Sequence, residues 1–270
     1  MRVRTVVLAA IIWLALFNVG ISAFAQQQPP ATSPPAAAAA VDPKADAALK
    51  RMGTLLANAK SFTFKSYSTV DQALDNGQAV QVARNQRVMM RRPDRLAAVV
   101  DADLEDLNYW YNGKRVTVLN RRANAYSMID AQPTIDATFD MLAEKYGLVI
   151  PLADLLFDDP YKTLMTGARA GVYIGTGYVF ETKCDHLAFR QAGVDWQVWI
   201  EQGDKPVPRK VVITYKELPA RPQYTSYLSE WNLNADLKDE QFVAKIPEGA
   251  KKVEFGGAPA APANSTGAKP

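Results

Sequence analysis

The sequence predicts an α+β fold: a strongly curved antiparallel half-barrel of about eleven strands, covered by an N-terminal helix and a mid-chain helical insert. Three observations predict it. Period-two segments fill most of 61–130 and 172–233, while helical periodicity is confined to 42–59 and 134–165. The resulting order, helix then six strands then helices then five strands, lacks the alternation of a parallel nucleotide-binding sheet. The links between strands are short, which implies antiparallel neighbours. A sheet of this size curls, and its concave apolar face must be covered. The two helical segments are the elements left to cover it.

Taken in order, the chain begins with an export signal. Arg2 and Arg4 precede an uncharged apolar run from Thr5 to Gly20. Ala23-Phe24-Ala25 puts small residues where a signal peptidase reads, so residues 1–25 read as a signal peptide cleaved after Ala25 and the protein as periplasmic. The rival reading is an uncleaved anchor, but the run is about 16 residues against the ~20 that span a bilayer. No Cys follows it to accept a lipid. Residues 26–41 (QQQPPATSPPAAAAAV) form an Ala/Pro-rich linker, and 256–270 (GGAPAAPANSTGAKP) a disordered tail of similar composition. The folded domain is expected over 42–255.

Within it, Asp42 is an N-cap and Pro43 suits the first helical position. Ala45, Leu49, Met52 and Leu56 then make one apolar stripe that ends near Ala59. Strands follow at Ser61–Asp71, Val80–Arg92, Leu96–Asp101, Leu107–Tyr111, Arg115–Asn120 and Ala125–Asp130. Asp75-Asn76-Gly77 and Asn112-Gly113 supply turns between them. Thr134 caps the insert, Ile135, Phe139, Leu142 and Tyr146 share a face, and Gly147 stops it. Pro151 permits a second short helix through Leu152, Leu155 and Leu156, and Pro160–Met165 suits a further turn. Five more strands are expected at Val172–Thr182, Lys183–Arg190, Val194–Gln202, Arg209–Leu218 and Tyr224–Leu233.

Composition excludes several chemistries. One Cys makes no internal disulfide or cysteine-rich zinc site, and one His makes no multi-histidine metal centre. Cys184 reads as a buried small hydrophobe rather than a nucleophile. The net charge of +3 belongs to the ends of the chain. Arg2, Arg4 and Lys269 lie outside 42–255, which is formally neutral and holds every aromatic except Trp13, Phe17 and Phe24. Nucleic acid is therefore not an expected partner.

Several segments resemble known proteins. Arg91-Arg92-Pro93-Asp94-Arg95-Leu96, then Tyr109-Trp110-Tyr111-Asn112-Gly113-Lys114, are similar to the first half of the periplasmic lipoprotein carriers LolA and LolB. Trp231-Asn232, Asp239-Glu240-Gln241-Phe242 and Ile246-Pro247-Glu248-Gly249-Ala250 resemble the way those chains close. More narrowly, Cys184-Asp185-His186-Leu187-Ala188-Phe189 followed by Asp195-Trp196-Gln197-Val198-Trp199-Ile200 resembles an uncharacterised family of predicted periplasmic proteins in the same superfamily, a domain of unknown function. The resemblance spans most of 42–255. It implies an eleven-stranded half-barrel, a helical lid and an apolar cavity, in relatives that can bind acyl chains or other hydrophobic ligands. The helical insert and the Cys-Asp-His segment depart from the carriers.

The leading expectation is a non-catalytic binding protein. Met90, Val100, Trp110, Val118, Trp196 and Val198 would line the sheet, and Phe139, Leu142, Leu152 and Leu155 the helices. Between them lies a hydrophobic ligand (a lipid, an acyl chain or lipoprotein-like cargo) admitted by lid motion. An envelope interaction protein with a filled core is the alternative, and a hydrolase using His186 the remote one. His186 is the only histidine, its neighbour Asp185 points to the opposite face of a strand, and no G-x-S-x-G elbow is present.

No cofactor, metal or catalytic group is expected. The acidic run Asp101, Asp103, Glu105, Asp106 lacks the Gly and Glu of a calcium loop and reads as a solvated turn. Asp158-Asp159-Pro160 reads as a helix cap. The glycines between 167 and 177 match no phosphate-binding pattern and suit a turn and a bulged strand. Arg84, Arg87, Arg91, Arg92 and Arg95, with Arg121 and Arg122, read as a solvated convex face, or else as a membrane-surface contact. Trp199 points away from Trp196; a ligand cavity or an overlying helix would account for it, with ordinary core as the default reading.

Overall fold

The computed structural model describes residues 40–74, 77–148 and 150–255. The expected signal peptide, nearly all of the linker, the C-terminal tail and the Asp75-Asn76 half of the first turn lie outside the described residues. Helix α1 (Pro43–Asn58) leads into β1 (Ser61–Ala73), β2 (Ala79–Arg91), β3 (Arg95–Ala102), β4 (Asp106–Tyr111), β5 (Arg115–Asn120) and β6 (Ala125–Asp130). Helix α2 (Ile135–Tyr146), a 3-10 turn at Ala153–Leu155 and helix α3 (Pro160–Met165) follow. The chain then forms β7 (Ala170–Val179), β8 (Thr182–Arg190), β9 (Val194–Glu201), β10 (Pro208–Tyr215), β11 (Gln223–Asn232), a 3-10 turn at Asp239–Phe242 and β12 (Lys251–Lys252).

The twelve strands among the described residues share one sheet, in the order β12-β6-β5-β4-β3-β2-β1-β11-β10-β9-β8-β7. Eleven were expected. The twelfth, β12, has two residues, too few to show a period, and pairs with β6 in parallel. The expected helix at Leu152–Leu156 is a single 3-10 turn.

The topology explains where the helices lie. Two meanders, β1–β6 and β7–β11, join where β1 pairs with β11. The connection from β6 to β7 must therefore travel from one end of the sheet to the other. It runs along the concave face. Ile135, Phe139 and Leu142 of α2 and Leu155 and Leu156 join the same buried cluster as Phe62, Met90, Leu187 and Val198 of the sheet.

Helix α1 covers the β7–β9 end. The Asp42 carboxylate accepts from the Lys44 N–H at 2.7 Å, and Ala45, Ala48, Leu49, Met52 and Leu56 are buried. One network, centred on the buried Asp185, ties this helix to the sheet. Asp185 on β8 accepts from Arg51 at 3.1 Å, Tyr173 at 2.8 Å and Gln202 at 2.7 Å.

The opposite face of β3–β5 has its own cover. The segment after β11 brings Ala235, Leu237 and Phe242 onto Ala97, Trp110 and Leu119.

Helices α1 and α3 cross closely at Gly53. A Cβ there would come within 2.6 Å of the Tyr161 Cβ and 2.8 Å of its backbone nitrogen. In an open helix Gly→Ala gains about 1 kcal/mol. Here the clash is with backbone, and overpacking of that kind costs about 1–3 kcal/mol. Gly53→Ala is expected to lower unfolding stability by about 1–2 kcal/mol in a urea titration. A rise in midpoint would show that α1 and α3 separate freely.

Candidate functional site

A cavity of about 40 Å³ lies between the helices and strands β9 and β10. Its floor is a cross-strand ladder: Trp196 pairs with Ile213, and Val198 with Val211, with Val194 beside them. Alternation puts all five side chains on one face. Phe189 on β8 holds the Trp196 ring by stacking at 4.2 Å and 16°. Met52 of α1, Leu164 of α3 and the 3-10 turn residues Leu152, Asp154 and Leu155 form the roof, and Gln191 stands in the β8–β9 loop.

Of the residues expected to line a ligand site, Leu152, Leu155, Trp196 and Val198 meet at this cavity. Met90, Phe139 and Leu142 are buried in the same apolar cluster without lining it, and Val118 packs at its flank. Val100 sits in a separate small cluster with Ala102 and Leu107. The placement of Trp110 is corrected: it lies on the far side of the sheet, under Phe242. In its strand Leu107, Tyr109 and Tyr111 share the more apolar face and Trp110 shares the other with Asp106 and Asn108, so alternation alone points it away from the helices. Sequence reasoning missed Met52, Leu164, Val194, Val211, Ile213 and the two polar members. Val194, Val211 and Ile213 were available from alternation. Asp154 was available as the lone charge in the apolar run from Leu148 to Phe157.

Asp154 stands apart electrostatically. Desolvation by its surroundings pushes its carboxyl up to about 6. Two residues before it, Leu152 caps the 3-10 turn with a φ of 68° in the left-handed region, a conformation that costs a non-glycine residue about 1–2 kcal/mol. Gln191 is fully engaged as a donor: its side-chain amide gives hydrogen bonds to the Leu164 and Thr166 carbonyls, each at 3.1 Å.

The two sequence segments that stood out, Cys184–Phe189 and Asp195–Ile200, are paired strands. Asp185 opposes Ile200, His186 opposes Trp199, Leu187 opposes Val198 and Phe189 opposes Trp196. The inward residues build the cavity floor and the α1 anchor. Outside, the His186 ring stacks on Trp199 at 3.9 Å and 12°, and its Nε2 pairs with Gln197 Oε1 at 3.0 Å. Burial lowers the His186 pKa, the Gln197 bond opposes this, and Lys210 adds to the lowering. No hydroxyl or carboxylate partners His186 among the described residues. The outward Trp199 needs neither a helix nor a cavity: Gly177 lies against its ring edge and the Lys210 ammonium over its face at 4.7 Å. Burial pushes the Cys184 thiol up to about 11, as suits an inert buried group.

The arginines do not form an open basic face. Arg92 folds inward, with its side chain 10% exposed. It donates to the carbonyls of Leu156 at 3.0 Å and Phe157 at 2.9 Å, and to the Asp158 carboxylate at 2.9 Å. Arg91 pairs with Asp239, Arg121 with Asp101, Arg122 with Asp106, and Arg84 with Glu105. The acidic turn is thereby paired with arginines. Asp159 caps α3, accepting from the Lys162 N–H at 3.0 Å.

Solved structures similar to this chain include an uncharacterized conserved protein from Thermus thermophilus, at 13% identity and a TM-score of 0.43, covering 78% of this chain and 99% of that one. The lipoprotein LppX from Mycobacterium tuberculosis aligns at 10% identity and a TM-score of 0.43, covering 73% and 100%. A LolA superfamily protein, NE2245 from Nitrosomonas europaea, aligns at 10% and 0.38, covering 74% and 97%. No curated protein matches the sequence. Residues 45–256 match the family described as "Predicted periplasmic protein (DUF2092)", and the chain belongs to that family.

Proposed function

We propose that this is an exported, non-catalytic periplasmic protein that binds a hydrophobic ligand, a lipid or acyl chain, between the sheet and its helical cover. The observation that carries the reading is the cavity under the 3-10 turn, whose walls are apolar except for Asp154 and Gln191. Burial of apolar ligand surface there is worth ~25 cal/mol per Å². At about 40 Å³ the cavity is far below the ~300–1,000 Å³ of a ligand site. Entry therefore requires the cover to move, and the turn carrying Leu152 in a strained conformation is the part placed to do so. The small volume also favours a second reading, an envelope interaction protein whose concavity is filled by its own side chains.

Uptake of Nile red by the purified protein, read as a blue-shifted emission, separates the two. Binding is expected in the native chain and is expected to fall at least about tenfold in Leu155→Trp, which fills the cavity at a cost of about 1–3 kcal/mol in overpacking. Near-UV circular dichroism checks that the variant stays folded. Absence of uptake in the native chain favours the filled core. Export itself predicts that the mature protein starts at Gln26, which N-terminal sequencing of periplasmic material reads directly.

A carboxylate in apolar surroundings opposes folding. With a folded-state pKa of about 6 against an ordinary 3.8, the folded state holds the Asp154 proton more tightly than the unfolded one. Its contribution to stability is therefore fully present below about pH 4 and is lost as pH rises through about 6. Asp154→Asn should match the native chain near pH 4 and exceed it above pH 6 by on the order of 1–2 kcal/mol. Urea titrations across that range check this, and a gap independent of pH would refute the assignment.

A further inference from the structure

The polar groups of the cavity share one character. Gln191 has both side-chain N–H donors tied to the carbonyls of Leu164 and Thr166, which leaves its Oε1, an acceptor. Asp154, ionised, is acceptor-only. It has no protein hydrogen-bond partner among the described residues, although the neighbouring carboxylates Asp158 and Asp159 both have theirs. The nearby ammonium of Lys216 is committed to the Gln191 main-chain carbonyl at 2.6 Å and to Asp195 at 2.9 Å. On α1, Arg51 is held by Asp185, and Asp46 accepts from Tyr161. The cavity therefore offers apolar walls from Met52, Leu155, Leu164, Trp196, Val211 and Ile213, two acceptors and no free donor.

We propose that Asp154 is the polar anchor of this site and that its ligand is an amphiphile with a hydrogen-bond-donating head, a hydroxyl or an ammonium, on an apolar chain. The inference rests on the reading of the cavity as a ligand site and adds the chemistry of the head. A fatty-acid anion is the excluded class. Its carboxylate would face a second carboxylate across apolar surroundings, with no donor to bridge them, and like charges brought together in a poorly solvated site repel strongly. A donor head instead gives the half-buried carboxylate a charge-assisted hydrogen bond that no protein group among the described residues supplies.

The test is competition against Nile red on the mature chain at pH 8 with three ligands of one chain length: dodecylamine, dodecanol and dodecanoate, each below its micelle concentration. The amine and the alcohol are expected to displace the dye at concentrations at least about tenfold lower than the carboxylate, the ratio that one charge-assisted hydrogen bond supplies. Asp154→Asn is expected to shrink that ratio to about threefold or less by giving the site a donor of its own. The comparison of heads on the native chain stands even if the variant fails to fold. Equal displacement by all three, or a preference that survives in Asp154→Asn, overturns the role of Asp154 and leaves the apolar cavity intact as a ligand site. If neither Nile red nor any of the three binds, both readings fall together.

Discussion

The Arg92 guanidinium sits where the end of β2, the C-terminus of α1 and the stretch after the 3-10 turn converge. Three carbonyls and one carboxylate depend on it: those of Leu56, Leu156 and Phe157, and Asp158. The Phe62 ring lies under it at 6.0 Å. Burial lowers the Arg92 pKa, and the attraction of Asp158 works against that lowering. Removing one partner of such a pair is costly, because the remaining charge or carbonyl stays buried and unpaired. The roof over the sheet is held by directional bonds at Arg92, at the Arg51–Asp185 contact of α1 and at the Gln191 bonds to the carbonyls of Leu164 and Thr166, with apolar contact between them.

This division has a mechanical sense. The stretch fixed by Arg92 begins at Leu156, directly after the turn that carries Leu152, Asp154 and Leu155 over the cavity. The fixed point and the strained turn are adjacent in the chain. A displacement of the turn can stop at Leu156 without disturbing α1 or the β2 end. On the other side of the cavity, the floor is tied twice over, by the strand ladder and by stacking of Phe189 on Trp196. The floor is thus more heavily tied than the turn above it, the asymmetry that the proposed uptake of an apolar guest would use.

Much of this fold was legible. Periodicity located eleven strands and helices α1 and α2, whose repeats are visible in the sequence, while Pro151 and Pro160 marked the short helical turns between α2 and β7. The caps at Asp42, Thr134 and Asp159 carry their own chemistry and were found where the residues implied. What was not legible depends on long-range pairing. Trp110 lies on the β4 face of Asp106 and Asn108, and what the sequence does not show is that Phe242 arrives from the chain's far end to bury it there. Arg92 looks like its neighbours Arg91 and Arg95 in sequence, and only the return of the insert to Leu156 draws it inward. The register that joins Cys184–Phe189 to Asp195–Ile200 is set by the hairpin between them. It turns two short motifs into one construction, with Asp185 holding α1 on the inside and His186 stacked on Trp199 outside. The carboxylate in the cavity is hard to pick out in the sequence because Asp158 and Asp159 nearby form the more conspicuous charged pair, while Asp154 stands alone in an apolar run.

The short pairings at the ends of the sheet have a further consequence. A large open sheet has two outer strands whose free N–H and C=O groups invite other chains to add to them. Here one outer position is taken by Lys251 and Lys252 of β12, laid against Ala125 and Tyr126. The other, β7, is met at Gly171 by Val41 and is broken by a bulge between Tyr173 and Gly175. Segments flanking the domain thus serve as edge guards. Two lysines and a bulge shorten the edge that a second chain could extend, although Val172, Ile174 and Tyr178 on β7 keep apolar side chains exposed beside it.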